Sequence, residues 1–457
     1  MLSHVISACR REWSLLAALG VGVAALAVQL DVAPLALAQG AVPLAMAREL
    51  RAGTGLLEAM SLWPEGALAP LYPLIVSVVS RAWPAFPEGL TLLAVMDACF
   101  AAGAAWFVGV TAKQLGATRS STALGVLLGF TPLLILLRDL RVSPYPLALL
   151  IGTAAIRLGL NKGERAVLGA GVLAGAAALV WPGAIALPLA VGASWWRRST
   201  RVALMGALIG VIPVASWWGI VLVRFGLDPG ETLLATRVGS LPSWAMWVTL
   251  AAGLLAIGPL VSRFRRVSAV LLFASVAALI GGVGLGVPEA AVATAFPWLI
   301  PLLVEWLGDG RAEGRARTFR TVWTGGVAVL ALAGTLLLQR ETNRWLQLNQ
   351  WEGRDRIRLP QGIPGAVRLD MLAQGTILGV EEPPVLASDL RAHLSVRLDR
   401  PVRALRRPCE DGVTHLGLVY PQAQASWLAR QAEVGASMEP LFEITDGPAL
   451  LAVRCGH

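Results

Sequence analysis

The topology of this chain depends on the stretch "APLYPLIVSVVSRAW", residues Ala69–Trp83, which is apolar but carries Pro70 and Pro73 near its start. If this stretch crosses a bilayer, every later loop changes side, because consecutive crossings alternate. If it stays at the interface, the later basic loops lie on the same side as Arg10 and Arg11, as expected for cytoplasmic loops rich in Lys and Arg. We therefore predict a juxtamembrane or re-entrant helix that does not cross. The basic clusters concerned are Lys113 with Arg119, Arg263 with Arg265 and Arg266, and Arg311 with Arg315, Arg317 and Arg320.

The composition around this stretch is that of a polytopic membrane protein. The chain has 457 residues, of which 56% are hydrophobic and only 15% are charged. Its mean hydropathy is +0.65. The chain therefore has more apolar residues than one soluble core could bury. The formal net charge is +9, but a basic excess in such a protein belongs to cytoplasmic loops. No basic stripe interleaves with aromatic residues, so we predict no nucleic-acid partner.

Long apolar runs give the number of membrane spans. A further apolar segment, Ala166–Trp196, is broken at Trp181–Gly183 and has basic residues at both ends, which predicts a short hairpin with both ends cytoplasmic. The other runs are Trp13–Leu30, Gly89–Ala112, Ser121–Leu137, Tyr145–Leu160, Val202–Val223, Trp244–Val261, Val267–Gly286, Ala290–Leu307 and Val322–Leu338. Together they predict about eleven transmembrane helices, with Trp13–Leu30 as an uncleaved first span.

This count fixes the expected domains and location. Residues 1–338 form a transmembrane domain, in which 31–88 make an outer loop with juxtamembrane helices. We predict a bacterial-type inner (plasma) membrane, a cytoplasmic N-terminus and an extracytoplasmic C-terminus. Residues 339–457 predict a small extracytoplasmic α/β domain, because short alternating runs there are punctuated by Pro and Gly. The runs predicted as strands are His393–Asp399, Thr414–Tyr420 and Ala449–Arg454.

The four cysteines do not form a recognisable metal or redox motif. Cys9 and Cys99 are far apart in sequence, and no pair has the close spacing of zinc or thioredoxin-type sites. Cys409 and Cys455 share the C-terminal region, where oxidation is permitted if that region is extracytoplasmic. A disulfide between these two residues remains open at this point.

The stretch "QGAVPLAMARELRAGTGLL", Gln39–Leu57, is an amphipathic segment within the predicted outer loop. Arg48 and Arg51 lie opposite Ala, Leu and Met, so we predict a helix that lies flat on the membrane with its apolar side in lipid. Arg48 is then either a surface arginine that extends towards the headgroups or a ligand for a phosphate.

The order of these parts resembles the GT-C superfamily of membrane glycosyltransferases. The first span is followed by an amphipathic helix that ends in Ala-Arg-x-Leu, Ala47–Leu50, and then by "PLYPL", Pro70–Leu74. A third span ends near Asp139, a short hairpin breaks at Pro182–Gly183, and a C-terminal domain follows. Among its members, the chain is most similar to the family-39 enzymes, the protein O-mannosyltransferases and the lipid A aminoarabinose transferases. Pieces of the tail also look similar, namely Leu390–Leu405, Gly412–Val419 and Pro440–Arg454.

The resemblance implies a transferase that moves a sugar from a polyprenyl-phosphate carrier to an acceptor at the outer face of the membrane. Such chemistry needs a carboxylate to take the acceptor's hydroxyl proton and cations to hold the departing phosphate. In the family this carboxylate usually stands nine positions before the arginine of Ala-Arg-x-Leu, which here is Gln39. An amide cannot act as a base, so another residue must do so if the chain is active. The resemblance leaves a divalent metal open.

Candidate site residues follow from this resemblance and from the positions of outer charges. Asp139 is the first candidate base, with Arg138 and Arg141 beside it to bind a carrier phosphate or simply to neutralise it. Asp31, at the outer end of the first span, is the second candidate base, or else an interfacial acid that marks the helix end. The predicted substrate-binding residues are Arg48, Arg138, Arg141, Gln39 and Glu65, the last of which could equally be a solvated loop residue.

Two further interpretations remain beside the glycosyltransferase. Gln39 favours a catalytically inactive GT-C-like protein that binds lipid or serves as a subunit of a membrane complex. A transporter or flippase would be expected to have internal repeats, which the sequence does not display. Asp97, inside the second span, is expected to form a structural hydrogen bond with a neighbouring helix, because an unpaired charge there is costly.

Overall fold

A computed structural model describes most of the first half of the chain and parts of the remainder. The described residues are 13–30, 38–63, 66–81, 90–139, 143–161, 163–196, 198–225 and 294–301, six single helical positions (304, 318, 322, 326, 392 and 395), and 378–381, 401–404, 416–419, 436–443 and 449–455. Inside the helices, the side chains of residues 38–41, 90, 120, 138, 139 and 225 are outside this description. All structural statements below refer to the described part of the chain.

Eleven α-helices follow one another between residues 13 and 225 in the described ranges. They are α1 (Trp13–Leu30), α2 (Ala38–Arg51), α3 (Leu56–Leu62), α4 (Leu71–Arg81), α5 (Leu90–Gln114), α6 (Arg119–Gly129), α7 (Thr131–Asp139), α8 (Tyr145–Gly159), α9 (Glu164–Val180), α10 (Leu187–Trp195) and α11 (Thr200–Phe225). A 3-10 turn, Pro182–Ala184, lies between α9 and α10. Helices α1, α5 and α11 are long and apolar enough to cross a bilayer, and the protein is a helical membrane protein.

Helices α1 and α5 pack side by side in opposite directions. Gly109 lies against Ser14, whereas Gly22 lies against Ala102, so the end of α1 is beside the start of α5. The intervening segment, which contains α2, α3 and α4, therefore begins and ends at the same end of the bundle. Helix α4 has 11 residues, which corresponds to about 16 Å, roughly half of the hydrocarbon thickness.

The run Ser121–Leu137, predicted as one helix, is divided into α6 and α7 at Phe130. Pro132 explains the interruption, because it has no N–H to donate to the carbonyl one turn earlier and its ring crowds that turn. Helix-type backbone hydrogen bonds are nevertheless present on both sides of the break. Phe130 N–H bonds to Val126 O, and Leu134 N–H bonds to Phe130 O.

The predicted hairpin is present as α9, the 3-10 turn and α10. Small residues allow α9 and α11 to approach closely: Gly171 faces the backbone of Gly206, and Gly175 faces that of Gly210. Any side chain at Gly171 would collide with the Gly206 carbonyl. The close contact therefore depends on glycine, as at small-residue interfaces of membrane helices.

The helical segment 294–301 packs against α6 and α8. Ile300 lies against Gly129 and Val304 against Gly125, so this segment runs opposite to α6. Trp298 packs on Gly152 in α8, and its ring is almost fully buried. The predicted spans 244–261 and 267–286 lie outside the described residues, and only Val322 and Gly326 of 322–338 are described, so the expected count of about eleven spans stays a prediction.

These contacts define two ends of the bundle. We call the polar end the one where Leu30, Leu90, Asp139 and Ser143 lie, and the basic end the one where Gln114, Gly159 and Thr200 lie. At the basic end the described basic side chains are Lys113, Arg119, Arg157, Arg165, Arg198 and Arg201. Glu164 is the one acidic side chain in that part of the description.

The C-terminal part contains a five-stranded mixed sheet in the order β2-β1-β3-β5-β4. Its strands are β1 (Leu378–Glu381), β2 (Val402–Ala404), β3 (Leu416–Val419), β4 (Ala436–Glu443) and β5 (Ala449–Cys455). Strand β1 pairs in parallel with β2 and β3, whereas β5 pairs antiparallel with β3 and β4.

The sequence predicted some of these strands and missed others. Strand β3 lies within the run Thr414–Tyr420 that predicted it, and β5 extends one residue beyond the predicted run Ala449–Arg454. The prediction of a strand at His393–Asp399 is wrong at Ser395, which is helical and fully buried. Short alternation alone does not separate a strand from a helix that is buried on one side. Cys409 lies outside the described residues, so its pairing with Cys455 stays a prediction.

Candidate functional site at the polar end

Helix α2 is buried inside the protein rather than lying flat on a membrane. Side chains around the whole circumference from Leu44 to Leu50 are buried, including those of Arg48 and Glu49. The prediction of an apolar face in lipid and of Arg48 as an extended surface arginine is therefore wrong. The reason is tertiary: α2 packs against α4 and α3, and Met46 and Val42 contact Gly66 in the loop before α4.

The buried charges of α2 form an ion pair. Arg48 Nη1 donates to Glu49 Oε1, and each side chain is less than one-tenth exposed. Burial of two charges is costly unless they are paired and hydrogen-bonded. The buried ion pair therefore restricts the position of the Arg48 side chain, whereas a solvated arginine would be free to move.

A second buried polar cluster joins α4, α5 and the start of α8. Asp97 is completely buried in α5, and its Oδ2 accepts a hydrogen bond of 2.9 Å from the backbone N–H of Ser143. The Tyr72 hydroxyl lies 3.4 Å from both carboxylate oxygens of Asp97. This agrees with the expected structural hydrogen bond between Asp97 and a neighbouring helix. Ser143 lies just before α8, where the free N–H groups of a helix attract a carboxylate.

Tyr72 is held in its neutral, donating form. Burial, and then the neighbouring Asp97, raise the pKa of the Tyr72 phenol well above its usual value of 10.0. The phenol therefore keeps its proton at physiological pH and donates it towards Asp97. Its helix is also attached to α2, because Arg81 Nη2 donates to Leu50 O at 3.2 Å.

Tryptophan side chains connect the loop before α4 to α11 and the break of the hairpin to α8. Trp217 Nε1 donates to Ala67 O at 2.9 Å, and Trp218 Nε1 donates to Leu68 O at 3.3 Å. These bonds attach the loop before α4 to α11. Trp181, at the break of the hairpin, meets the Tyr145 ring edge-on with the ring centroids 6.1 Å apart. Elements distant in sequence therefore meet at this end of the bundle.

The predicted site residues are only partly within the described chain. Gln39 lies in the first turn of α2, nine residues before Arg48, which is about 13 Å along the helix. Asp139 and Arg138 end α7, four residues before Ser143, so the Cα atoms of Asp139 and Ser143 are at most about 15 Å apart. The side chains of Gln39, Arg138 and Asp139 are outside the description, as are Asp31, Glu65 and Arg141 altogether.

Sequence reasoning missed Glu49, Tyr72 and Ser143 as polar groups of this site. Glu49 directly follows Arg48, and adjacent helical residues do not usually face each other, so no spacing rule predicts the pair. Tyr72 and Asp97 are 25 residues apart and meet only through packing. The "PLYPL" segment contains Tyr72, and this was the one available signal.

The buried ionisable groups described at this end are paired with other protein groups. Among the described residues, no group of three or more His, Cys, Asp or Glu side chains could hold a metal ion. The chemistry available there comes from one buried carboxylate, one buried arginine–glutamate pair and the start of α8. Comparisons of the chain with protein-family models, with curated proteins and with solved structures find no match.

Proposed function

We propose that this protein is a membrane glycosyltransferase of GT-C type, which transfers a sugar from a polyprenyl-phosphate carrier to an acceptor at the outer face of the membrane. The observation that carries the proposal is the concentration of buried ionisable side chains at one end of an apolar bundle. Arg48 and Glu49 lie there in α2, which packs on α4, and Asp97 lies in α5 beside Tyr72 of α4. Ionisable groups inside membrane helices are rare and commonly belong to functional sites.

The direction of the helices supports an outward-facing site. The described side chains at the basic end include six of Lys or Arg and one of Glu. Lys and Arg are concentrated on the cytoplasmic side of membrane proteins. The polar end then faces outwards. We accordingly propose about eleven spans in a bacterial-type inner membrane, a cytoplasmic N-terminus, and an extracytoplasmic α/β domain formed by residues 339–457 around the five-stranded sheet.

The proposed reaction forms a bond between an acceptor oxygen and the anomeric carbon of the sugar, while the bond from that carbon to the carrier phosphate breaks. Asp139 takes the proton of the acceptor hydroxyl, and Asp31 is the alternative base. Arg138 and Arg141 flank Asp139 in sequence and hold the departing phosphate. Gln39, Glu65 and the side of α2 that carries Arg48 complete the substrate contacts.

The fixed start of α8 supports the choice of Asp139. Only three residues separate Asp139 from Ser143, whose N–H is bound to the buried Asp97. This bond restrains the chain at Ser143, four residues after Asp139. A catalytic base needs such restraint, because small misplacements cost large factors in rate.

The test is sugar transfer by the purified full-length chain in proteoliposomes with a polyprenyl-phosphate-linked sugar. Asp139→Asn should reduce transfer at least about a hundredfold, the usual contribution of a positioned base, while the melting temperature is unchanged. Glu164→Gln, at an exposed position of the basic end, is the matched control and should retain full activity. Full activity in both Asp139→Asn and Asp31→Asn would contradict the assignment.

A second candidate function rests on Gln39, an amide at the position where similar enzymes have a carboxylate. In that case the chain is an inactive GT-C-like protein that binds lipid or serves as a subunit of a membrane complex. The same assay separates the two. If the wild type transfers no sugar from any carrier but Gln39→Asp creates transfer, the chain is a member that has lost its base.

A further inference from the structure

The turn between α10 and α11 presents exposed cations at the basic end. Arg198 and Arg201 are both exposed, and they are three residues apart where the chain turns into α11. The Arg198 guanidinium lies over the ring of Trp195, 5.2 Å from its centroid. This cation–π contact limits the positions that Arg198 can adopt, and Trp195 is itself attached to α8 by a bond from its Nε1 to Gly159 O.

An apolar track begins directly beside these cations. Leu204, Met205, Leu208 and Ile212 are 47%, 42%, 50% and 55% exposed. Residues three, four, seven and eleven positions apart lie on one face of a helix, so these four side chains share a face with Arg201. From Arg201 to Ile212 the track measures about 16 Å, close to the thickness of one leaflet.

The combination has the chemical pattern of a phospholipid. The two arginines are complementary to an anionic headgroup. The exposed apolar side chains beside them extend over about the thickness of one leaflet, as acyl chains do. Trp196, 55% exposed beside the arginines, is typical of the level of the headgroups. A soluble anion would use the arginines but not the track, and a zwitterionic lipid would use the track but gain little from the arginines.

We propose that this surface binds one anionic glycerophospholipid, with its phosphate between Arg198 and Arg201 and its acyl chains along the face from Leu204 to Ile212. Arg165, exposed at the start of α9, adds a third positive charge at the same end, because Val167 contacts Gly206 two residues further along α9. Basic groups between membrane helices on one side of the bilayer bind such headgroups. The proposal does not depend on the glycosyltransferase activity.

The experiment measures the binding of phosphatidylglycerol to the purified full chain in detergent by native mass spectrometry, together with the melting temperature. Phosphatidylglycerol should bind and raise the melting temperature, whereas phosphatidylcholine and inorganic phosphate should not. Arg198→Gln and Arg201→Gln should each weaken binding about fivefold, and the double variant about thirtyfold, as expected for basic residues next to an anionic headgroup. Arg224→Gln, an exposed arginine at the opposite end of the same helix, is the control and should bind as the wild type does.

Several outcomes would overturn the proposal. Equal binding of phosphatidylcholine would mean that the arginines do not select the headgroup. Equal stabilisation by inorganic phosphate would mean that the track takes no part. Unchanged binding in the double variant, or an equal loss in Arg224→Gln, would place the lipid elsewhere. If the double variant does not fold, Leu208→Asn tests the track with the arginines intact, and unchanged phosphatidylglycerol binding by that variant would contradict the model.

Discussion

The two ends of the bundle differ in the ionisable side chains that they bury almost completely, although each end also has exposed ones. At the polar end, Arg48, Glu49 and Asp97 are buried and bonded within the protein. At the basic end, Arg165, Arg198 and Arg201 are exposed. A buried charge costs folding free energy unless it is compensated, whereas an exposed charge costs almost none. The polar end therefore retains a costly arrangement, which is the behaviour expected of a site under functional constraint.

The largest expected difference between the ends concerns Arg48. Arg48→Ala leaves the buried Glu49 carboxylate without this partner and should lower the free energy of unfolding by about 3–5 kcal/mol. Unfolding in mixed micelles with increasing SDS measures this quantity. Arg165→Ala at the basic end is the matched control and should change it by less than about 0.5 kcal/mol. Similar values for both variants would remove the contrast between the ends.

Asp97 provides the next largest effect. Asp97→Ala leaves the Ser143 N–H and the Tyr72 hydroxyl without their acceptor, and each unsatisfied buried group costs about 1–3 kcal/mol. Asp97→Asn keeps one carbonyl oxygen for the Ser143 N–H and should cost clearly less than the alanine variant. The same SDS titration compares them. An asparagine variant as unstable as the alanine variant would mean that the negative charge, and not the acceptor oxygen, stabilises the start of α8.

The smallest effect separates hydrogen bonding from charge. Trp217→Phe at the polar end and Trp195→Phe at the basic end each remove one indole donor to a backbone carbonyl. Both should lower the free energy of unfolding by about 0.5–1.5 kcal/mol. Equal losses would show that the two ends differ in buried charge rather than in the general strength of their contacts. A loss confined to one of the two variants would contradict this.

Hydropathy predicted the long helices well because a helix that is exposed to lipid must be apolar along its length. The run Trp13–Leu30 is helical throughout, and the break at Trp181–Gly183 directly follows the end of α9. The predicted helix Tyr145–Leu160 differs from α8 by one residue. Each of these signals is local in the sequence.

The site could not be predicted in the same way, because its contacts are not local. Arg48 is buried since α2 is covered by other elements, and an amphipathic pattern does not reveal what covers a helix. The bonds from Trp217 to Ala67 and from Tyr72 to Asp97 join residues 150 and 25 positions apart. The strand predicted at His393–Asp399 was wrong for a different reason. A short alternating run is compatible with a strand or with a helix, so the local pattern itself is ambiguous.

The central claim is that the polar end, with its buried charges, faces the outside of the cell. Its most direct test is the labelling of single cysteines with a membrane-impermeant thiol reagent on intact spheroplasts. Gly55→Cys at the polar end and Gly163→Cys at the basic end are well matched, because both positions are exposed and a side chain at either meets no other atom within 4 Å. The background replaces Cys9, Cys99, Cys409 and Cys455 by serine. We expect Gly55→Cys to be labelled in intact spheroplasts and Gly163→Cys only after permeabilisation, whereas the reverse pattern would contradict an outward-facing site.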